Sequence, residues 1–294
     1  MNDLEYIKFA GGGAKGIFYV SALAALKNEG VDHLAMKGSA GTSIGSLFAL
    51  MTVLGMSLDD MLACSLTMSI DYLITPSTTI FEGFGMMDMV GMKQFLFENV
   101  FVPHGLPLSC TFAQLREKCN GKPFVVTVSD MTEHERLLFG MDASTDEEPV
   151  IERMLDSMCL PGLFSRRFYK GHWVADGGWY NNLVDSVFPP KKTLVLSFPL
   201  MKGPTEEKIR AMPSGQFLVE LLLSCHLYVC KEQSRDGKIP HHVVVPDMGF
   251  TAVHVWISKE KRLQMVRECY NQICEQRNQL GHLAARCLEI FLKQ

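Results

Sequence analysis

Gly41-Thr42-Ser43-Ile44-Gly45 sets a serine between two glycines, directly after a short stretch of small and apolar residues and directly before an apolar helical run over residues 44–54. A strand that turns sharply into a helix needs this layout if one hydroxyl is to be pushed out of the bend. Side chains at Gly41 or Gly45 would collide with the strand or helix that the turn connects, so Ser43 is the first candidate nucleophile. Working outward toward the N-terminus, Tyr6–Ala10 reads as a short apolar strand. It is followed by the loop Gly11-Gly12-Gly13-Ala14-Lys15-Gly16 and a helix from Ile17 to Asn28, with Gly30 as its stop signal. With Leu34–Lys37 taken as a brief strand before the serine turn, two strand–helix units follow one another. That succession predicts a parallel sheet in an α/β fold.

Toward the C-terminus, further strands are expected at Phe124–Ser129, Leu137–Phe139, Trp173–Ala175, Thr193–Phe198 and His241–Val245. A helix is expected over Pro149–Cys159, ended by Pro161-Gly162, and a long amphipathic helical region over Lys259–Lys293, with Gly281 as its weak point and Val266, Tyr270, Ile273 and Leu280 on one face. The methionine- and phenylalanine-rich stretch from Met56 to Gly105 reads as helical. Its part from Ile70 to Phe101 suits a core, an acyl-chain trough or a lid. There is no long linker, internal repeat or low-complexity tract, so residues 1–294 are expected to form one domain, with a helical C-terminal region at about 257–293.

The chain has 294 residues, 47% of them hydrophobic and 20% charged, with a net charge of -4. This is an ordinary globular balance that gives no global attraction to nucleic acid. Nine cysteines without a C-x-x-C pair suggest neither a disulfide framework nor a zinc site. Asp3, Glu5 and Lys8 interrupt the first ten residues, and no later run approaches the ~20 apolar residues of a membrane span. A cytoplasmic protein is expected, in peripheral contact with membranes at most.

An exposed serine becomes a useful nucleophile only where donors await the oxyanion it creates, and amides of a glycine loop at a helix start supply them. The loop Gly11–Gly16 fits that need. It fits equally a tight turn with glycines for packing, and Gly11, Gly13 and Gly16 also satisfy G-x-G-x-x-G, which leaves a dinucleotide site open with Glu29 or Asp32 as the ribose acid. The serine also needs a base. Asp176-Gly177-Gly178 puts a carboxylate at a strand end beside two glycines, although the same letters suit a simple hairpin turn.

The order of glycine loop, G-x-S-x-G and D-G-G resembles that of the patatin-like phospholipases over about residues 6–183. The block Asp156-Ser157-Met158-Cys159-Leu160-Pro161-Gly162-Leu163-Phe164 resembles the family segment that ends in a proline and an aromatic before the aspartate motif. Ala10 is a departure, since many members carry aspartate there. The resemblance implies a three-layer α/β/α fold with a mainly parallel sheet, and an acyl hydrolase acting on phospholipids or other acyl lipids. It implies Ser43 as nucleophile and Asp176 as its dyad partner, with the oxyanion hole drawn from Gly11, Gly12 and Gly13. Gly16, Gly41, Gly45, Gly177 and Gly178 then serve as motif glycines. It implies neither metal nor cofactor. A dyad of this kind asks for burial of Asp176, for which Trp173 and Trp179 are the nearest apolar candidates. Arg166, Arg167 and Lys170 are candidates for phospholipid headgroups. The alternatives are an α/β-hydrolase triad using His226, His241, His242 or His254 as base, and an inactive lipid-binding protein.

Overall fold

A computed structural model describes residues 3–68, 85–199, 205–212, 224, 239–246, 248 and 257–291, with side chains of the last helix described to Arg277. In chain order the elements are β1 (Tyr6–Phe9), α1 (Phe18–Asn28), β2 (Gly38–Thr42), α2 (Ile44–Val53), α3 (Leu58–Thr67), β3 (Gly85–Met87) and α4 (Val90–Leu96). They continue with α5 (Phe112–Lys118), β4 (Phe124–Asp130), β5 (Glu135–Phe139), α6 (Val150–Ser157), β6 (Gly162–Phe164), β7 (Arg167–Tyr169) and β8 (His172–Asp176). The last are α7 (Gly178–Asn181), β9 (Thr193–Ser197), α8 (Glu206–Arg210), β10 (His241–Val244) and α9 (Lys259–Phe291).

Eight strands form one sheet along the path β10-β9-β1-β2-β4-β8-β7, with β5 also pairing with β4. The pairs among β10, β9, β1, β2 and β4 are parallel, and those of β5, β7 and β8 are antiparallel. This is the expected α/β fold with a mostly parallel central sheet. The fully buried strand β4, Phe-Val-Val-Thr-Val-Ser-Asp, sits at its centre because β-branched residues pack well on both faces of a covered sheet.

One face of the sheet carries the main core, where Ile7, Phe9, Val126 and Val128 pack against α1, α2, α6 and α9. The other face is covered more thinly by the segment after β8: Val184 and Val187 lie on Ala40 and Val125, and Lys8 Nζ donates to the Val184 carbonyl at 2.9 Å. The C-terminal helix joins the domain at α1 and α3. Arg262 donates to the carbonyls of Ser65, Leu66 and Met68 at the end of α3, where four carbonyls lack intrahelical donors.

The strand before the serine differs from the sequence expectation. Residues 33–35 form a 3-10 turn capped by Asp32, and the strand is Gly38-Ser39-Ala40-Gly41-Thr42. Nothing in its composition favours a strand. Tertiary position decides: β2 lies between β1 and β4 with α2 across it, and only small residues leave room, with Ser39 Oγ donating to the Ala49 carbonyl of α2. In the Met/Phe-rich stretch, Met92, Phe95, Leu96, Val100 and Phe101 are core residues, while 69–84 lie outside the described residues. Lys259–Phe291 runs as one helix through Gly281.

Candidate active site

The turn at Ser43 is built by two close approaches. A Cβ on Gly45 would stand 2.2 Å from the Phe9 carbonyl oxygen, and one on Gly41 would stand 2.3 Å from the Gly45 carbonyl oxygen. Both obstacles are backbone and cannot swing aside. Between them Ser43 adopts φ 52°, ψ -131°, a conformation that L-residues rarely take, and it is followed at once by α2. This is the strained strand-to-helix geometry that a nucleophile elbow requires.

Register brings the second motif to the same place. Strand β5 pairs with residues 126–130 of β4, so β2, which pairs with residues 124–127, and β8, which pairs with residues 128–130, must share the opposite edge. They arrive from opposite directions. Thr42, the last residue of β2, is opposite Thr127, and Asp176, the last of β8, is opposite Val128. Thr127 is the hinge of this meeting: its hydroxyl lies 2.6 Å from that of Thr42, and a Cβ on Gly177 would come within 2.2 Å of its carbonyl oxygen. Gly177 is therefore required where the chain leaves Asp176. The D-G pair opens α7 rather than a hairpin turn, and Asp176 Oδ1 accepts the Gly178 N–H at 2.8 Å.

A second brace comes from Ser157 at the end of α6. Its hydroxyl accepts the Ser43 N–H at 2.8 Å, and its carbonyl accepts the Gly177 N–H at 3.2 Å, so one residue ties the serine turn to the aspartate turn. The Asp176 N–H donates to the Cys159 carbonyl at 2.8 Å, and Asp176 is only 5% exposed. Beneath this brace, Asp156 is fully buried between Arg153 and Arg167. Burial pushes the Asp156 carboxyl up, against the pull of the two guanidiniums. The Cys159 thiol is pushed up to about 12, first by burial and then by the nearby Asp156 and Asp176 carboxylates, with Arg167 opposing.

The glycine loop packs against the serine turn, since a Cβ on Gly11 would stand 3.2 Å from Ser43 Cβ. Gly11, expected among the oxyanion donors, spends its N–H on Asn182 Oδ1 at 2.9 Å, because the segment after Asp176 folds back over the loop. Gly12 faces the Phe198 ring, and the buried Lys15 ammonium stands over the same ring, 5.1 Å from its centroid. Gly16 is filled by Ile44 and Phe48.

Other candidates fall elsewhere. Glu29 pairs with Arg277, and Asp32 caps its own 3-10 turn, so both acids of the dinucleotide alternative are engaged. His242 is in register with Val195, Lys8 and Ala40, three strands from β2 and thus roughly 14 Å away. It meets Ser197 Oγ at 2.7 Å, and His241 meets the Lys191 carbonyl. His226 and His254 lie outside the described residues. Arg167 is committed to Asp156 and Glu152 and is not offered to a headgroup. Trp173, expected to shield Asp176, is 39% exposed. Sequence reasoning missed Thr127, Ser157 and Asn182 as supports. Only Ser157 carried a signal, through its place in the block before the proline.

Fold and turn together define an α/β protein with a strained serine at a strand-to-helix turn. A family model described as patatin-like phospholipase matches residues 8–187, and the chain belongs to that family. Among relatives, an uncharacterized protein, R571, of Acanthamoeba polyphaga mimivirus is 25% identical over 203 residues, covering 67% of this chain and 66% of that one. Of solved structures, VipD from Legionella pneumophila aligns over 92% of this chain and 66% of its own with a TM-score of 0.55 and 16% identity. Full-length ExoU, solved with SpcU from the type III secretion system of Pseudomonas aeruginosa, aligns over 94% of this chain and 52% of its own, at 16% identity and a TM-score of 0.48. The chain thus spans about two thirds of the length of R571 and VipD and about half that of ExoU. Among the described residues, no helix is long and apolar enough to cross a membrane.

Proposed function

We propose that this chain is a lipid acyl hydrolase that cleaves ester-linked fatty acids from phospholipids or lysophospholipids through a Ser43–Asp176 dyad and an acyl-enzyme. Family membership supports the substrate class. The observation that carries the dyad is the end-to-end meeting of β2 and β8 along one edge of β4, with Ser157 holding both turns.

In this scheme Asp176 accepts the Ser43 proton as Oγ attacks the ester carbonyl, and the carbonyl π electrons move to the oxygen. The amides of Gly12 and Gly13 receive that oxyanion, Gly11 being tied to Asn182. Collapse expels the alcohol of the lysolipid or glycerol moiety, which takes the proton from Asp176 and leaves an ester on Ser43. Water then attacks this ester, gives its proton to Asp176, and releases the fatty acid as Ser43 recovers its hydrogen. Asp176 is almost wholly buried, so these transfers take place away from bulk water. We place the whole of residues 1–294 in one domain and its membrane contact at the periphery.

The test is labelling by a fluorophosphonate, together with mass identification of products from a panel of phospholipids, lysophospholipids and triacylglycerols. Labelling at Ser43, and fatty-acid release lost in Ser43→Ala and Asp176→Asn, is the expected result. Full activity in either variant removes the dyad. Absence of labelling, with lipid still bound, points instead to an inactive binding protein.

A further inference from the structure

We infer that the outward face of the β7–β8 hairpin is the surface by which this chain docks on an anionic phospholipid membrane. The inference rests on the lipid hydrolase reading and deepens it, because it names the surface that delivers Ser43 to its substrate.

The sequence singles out this ribbon. Between Asp156 and Asp176 there is no acidic residue, while Arg166, Arg167 and Lys170 lie within five positions of one another. The two-residue period of strands then divides the roles. Arg167 and Tyr169 turn inward, to Asp156 and Glu152 and to Glu148 respectively. Arg166, Phe168, Lys170 and Trp173 turn outward. Phe168 and Trp173 are directly opposed across the strands and are 58% and 39% exposed. The Arg166 guanidinium lies 5.9 Å from the Phe168 ring centroid, and the Lys170 side chain is 70% exposed. A half-buried strand ordinarily offers polar groups to water. Here it offers an aromatic pair framed by cations, the composition that settles at the boundary between acyl chains and anionic headgroups.

Position agrees with composition. Strand β8 runs past the end of β2, so the hairpin projects from the edge of the sheet at which Ser43 sits, with His172 roughly 13 Å from Asp176. A membrane plane resting on the hairpin lies on the side of the sheet edge at which Ser43 sits. Acids also lie near the hairpin. Glu148, with 19% of its side chain exposed, pairs with Lys170 at 3.7 Å from the inner side, and the exposed Glu133 and Glu135 lie beyond His172, whose pKa they help to raise, at the β4–β5 end rather than around Phe168. A twofold contact centred on this face would bring the two Arg166 and Lys170 clusters together, a like-charge approach that disfavours a second copy here.

The test is vesicle sedimentation on the Ser43→Ala background, where no lipid is consumed, using phosphatidylcholine vesicles with and without phosphatidylserine. Preferential binding to the phosphatidylserine vesicles is expected. Phe168→Ser/Trp173→Ser weakens it at least tenfold. Arg166→Gln/Lys170→Gln weakens it by about fivefold per charge removed on anionic vesicles and leaves the neutral ones unchanged. Leu34→Ser, at an exposed apolar residue elsewhere, leaves binding as it was. Both hairpin variants in the Ser43 enzyme retain hydrolysis of a soluble short-chain ester, which certifies their fold. Equal binding of both vesicle types, or hairpin variants that bind like the parent, overturns the inference. So does a concentration-dependent dimer that these substitutions dissolve. If the Ser43 enzyme hydrolyses no lipid while hairpin-dependent binding persists, the proposed function fails and the docking surface stands.

Discussion

Replacing Ser43 by glycine and by alanine separates the chemistry of the residue from the shape of its backbone. Both variants lose the hydroxyl, and both are expected to be inactive. They differ in the Cβ, which alanine keeps in the conformation φ 52°, ψ -131° and glycine lacks. A non-glycine residue held in such a region costs on the order of 1–3 kcal/mol. Glycine escapes that cost but gives up about 0.5–1 kcal/mol through the greater freedom of its unfolded chain. The balance leaves Ser43→Gly more stable than Ser43→Ala by about 1 kcal/mol, or about 2 °C in Tm for a chain of this size. Paired thermal melts and urea titrations of the two variants measure it, with circular dichroism to show the same fold. A Ser43→Gly variant that melts at or below Ser43→Ala would refute strain at this turn, for then α2 and the two glycines hold none against the serine.

Gly45→Ala is expected to yield no folded protein, because the added Cβ would meet the Phe9 and Ala10 carbonyl oxygens at 2.2 and 2.6 Å; soluble yield and circular dichroism check this. Ser157→Ala leaves the Ser43 N–H without its acceptor, and the expected result is a loss of about 1–3 kcal/mol in urea titration with a fall in kcat larger than any change in KM. Arg167→Gln strips one partner from the buried Asp156 and is expected to cost on the order of 3 kcal/mol in the same titration. His172 Nδ1 lies 2.7 Å from Asp130, and that hydrogen bond raises the imidazole above its ordinary 6.5. Its contribution is therefore complete below about pH 6.5 and lost as pH rises through the raised value, so melts of His172→Gln are expected to show a flatter dependence between pH 6 and 8.

The sequence disclosed the parts of the fold that rest on local rules. The glycine turns, the apolar helix after Ser43 and the β-branched strand at Phe124 follow from sterics and packing that act within a few residues. What it hid was decided at long range. The strand Gly38–Thr42 carries no strand signal, because its smallness answers to a helix lying across it. Thr127 and Asn182 look unremarkable in the chain and matter only because two distant turns converge on them. Arg167 reads as a headgroup ligand until the fold puts Asp156 and Glu152 beside it. The exposure of Trp173 follows from hairpin register, which composition does not reveal.

Because β8 runs antiparallel to β4 and ends on Asp176, the proposed dyad would double as a proofreader of strand alignment. A slip of one position would turn the Asp176 side chain to the other face of the sheet, and a slip of two would carry it roughly 7 Å along the strand. Under that dyad, molecules that collapse with near-native helix content but misaligned strands would be catalytically silent. The regain of esterase activity after dilution from urea would count only correctly threaded molecules, where circular dichroism counts both.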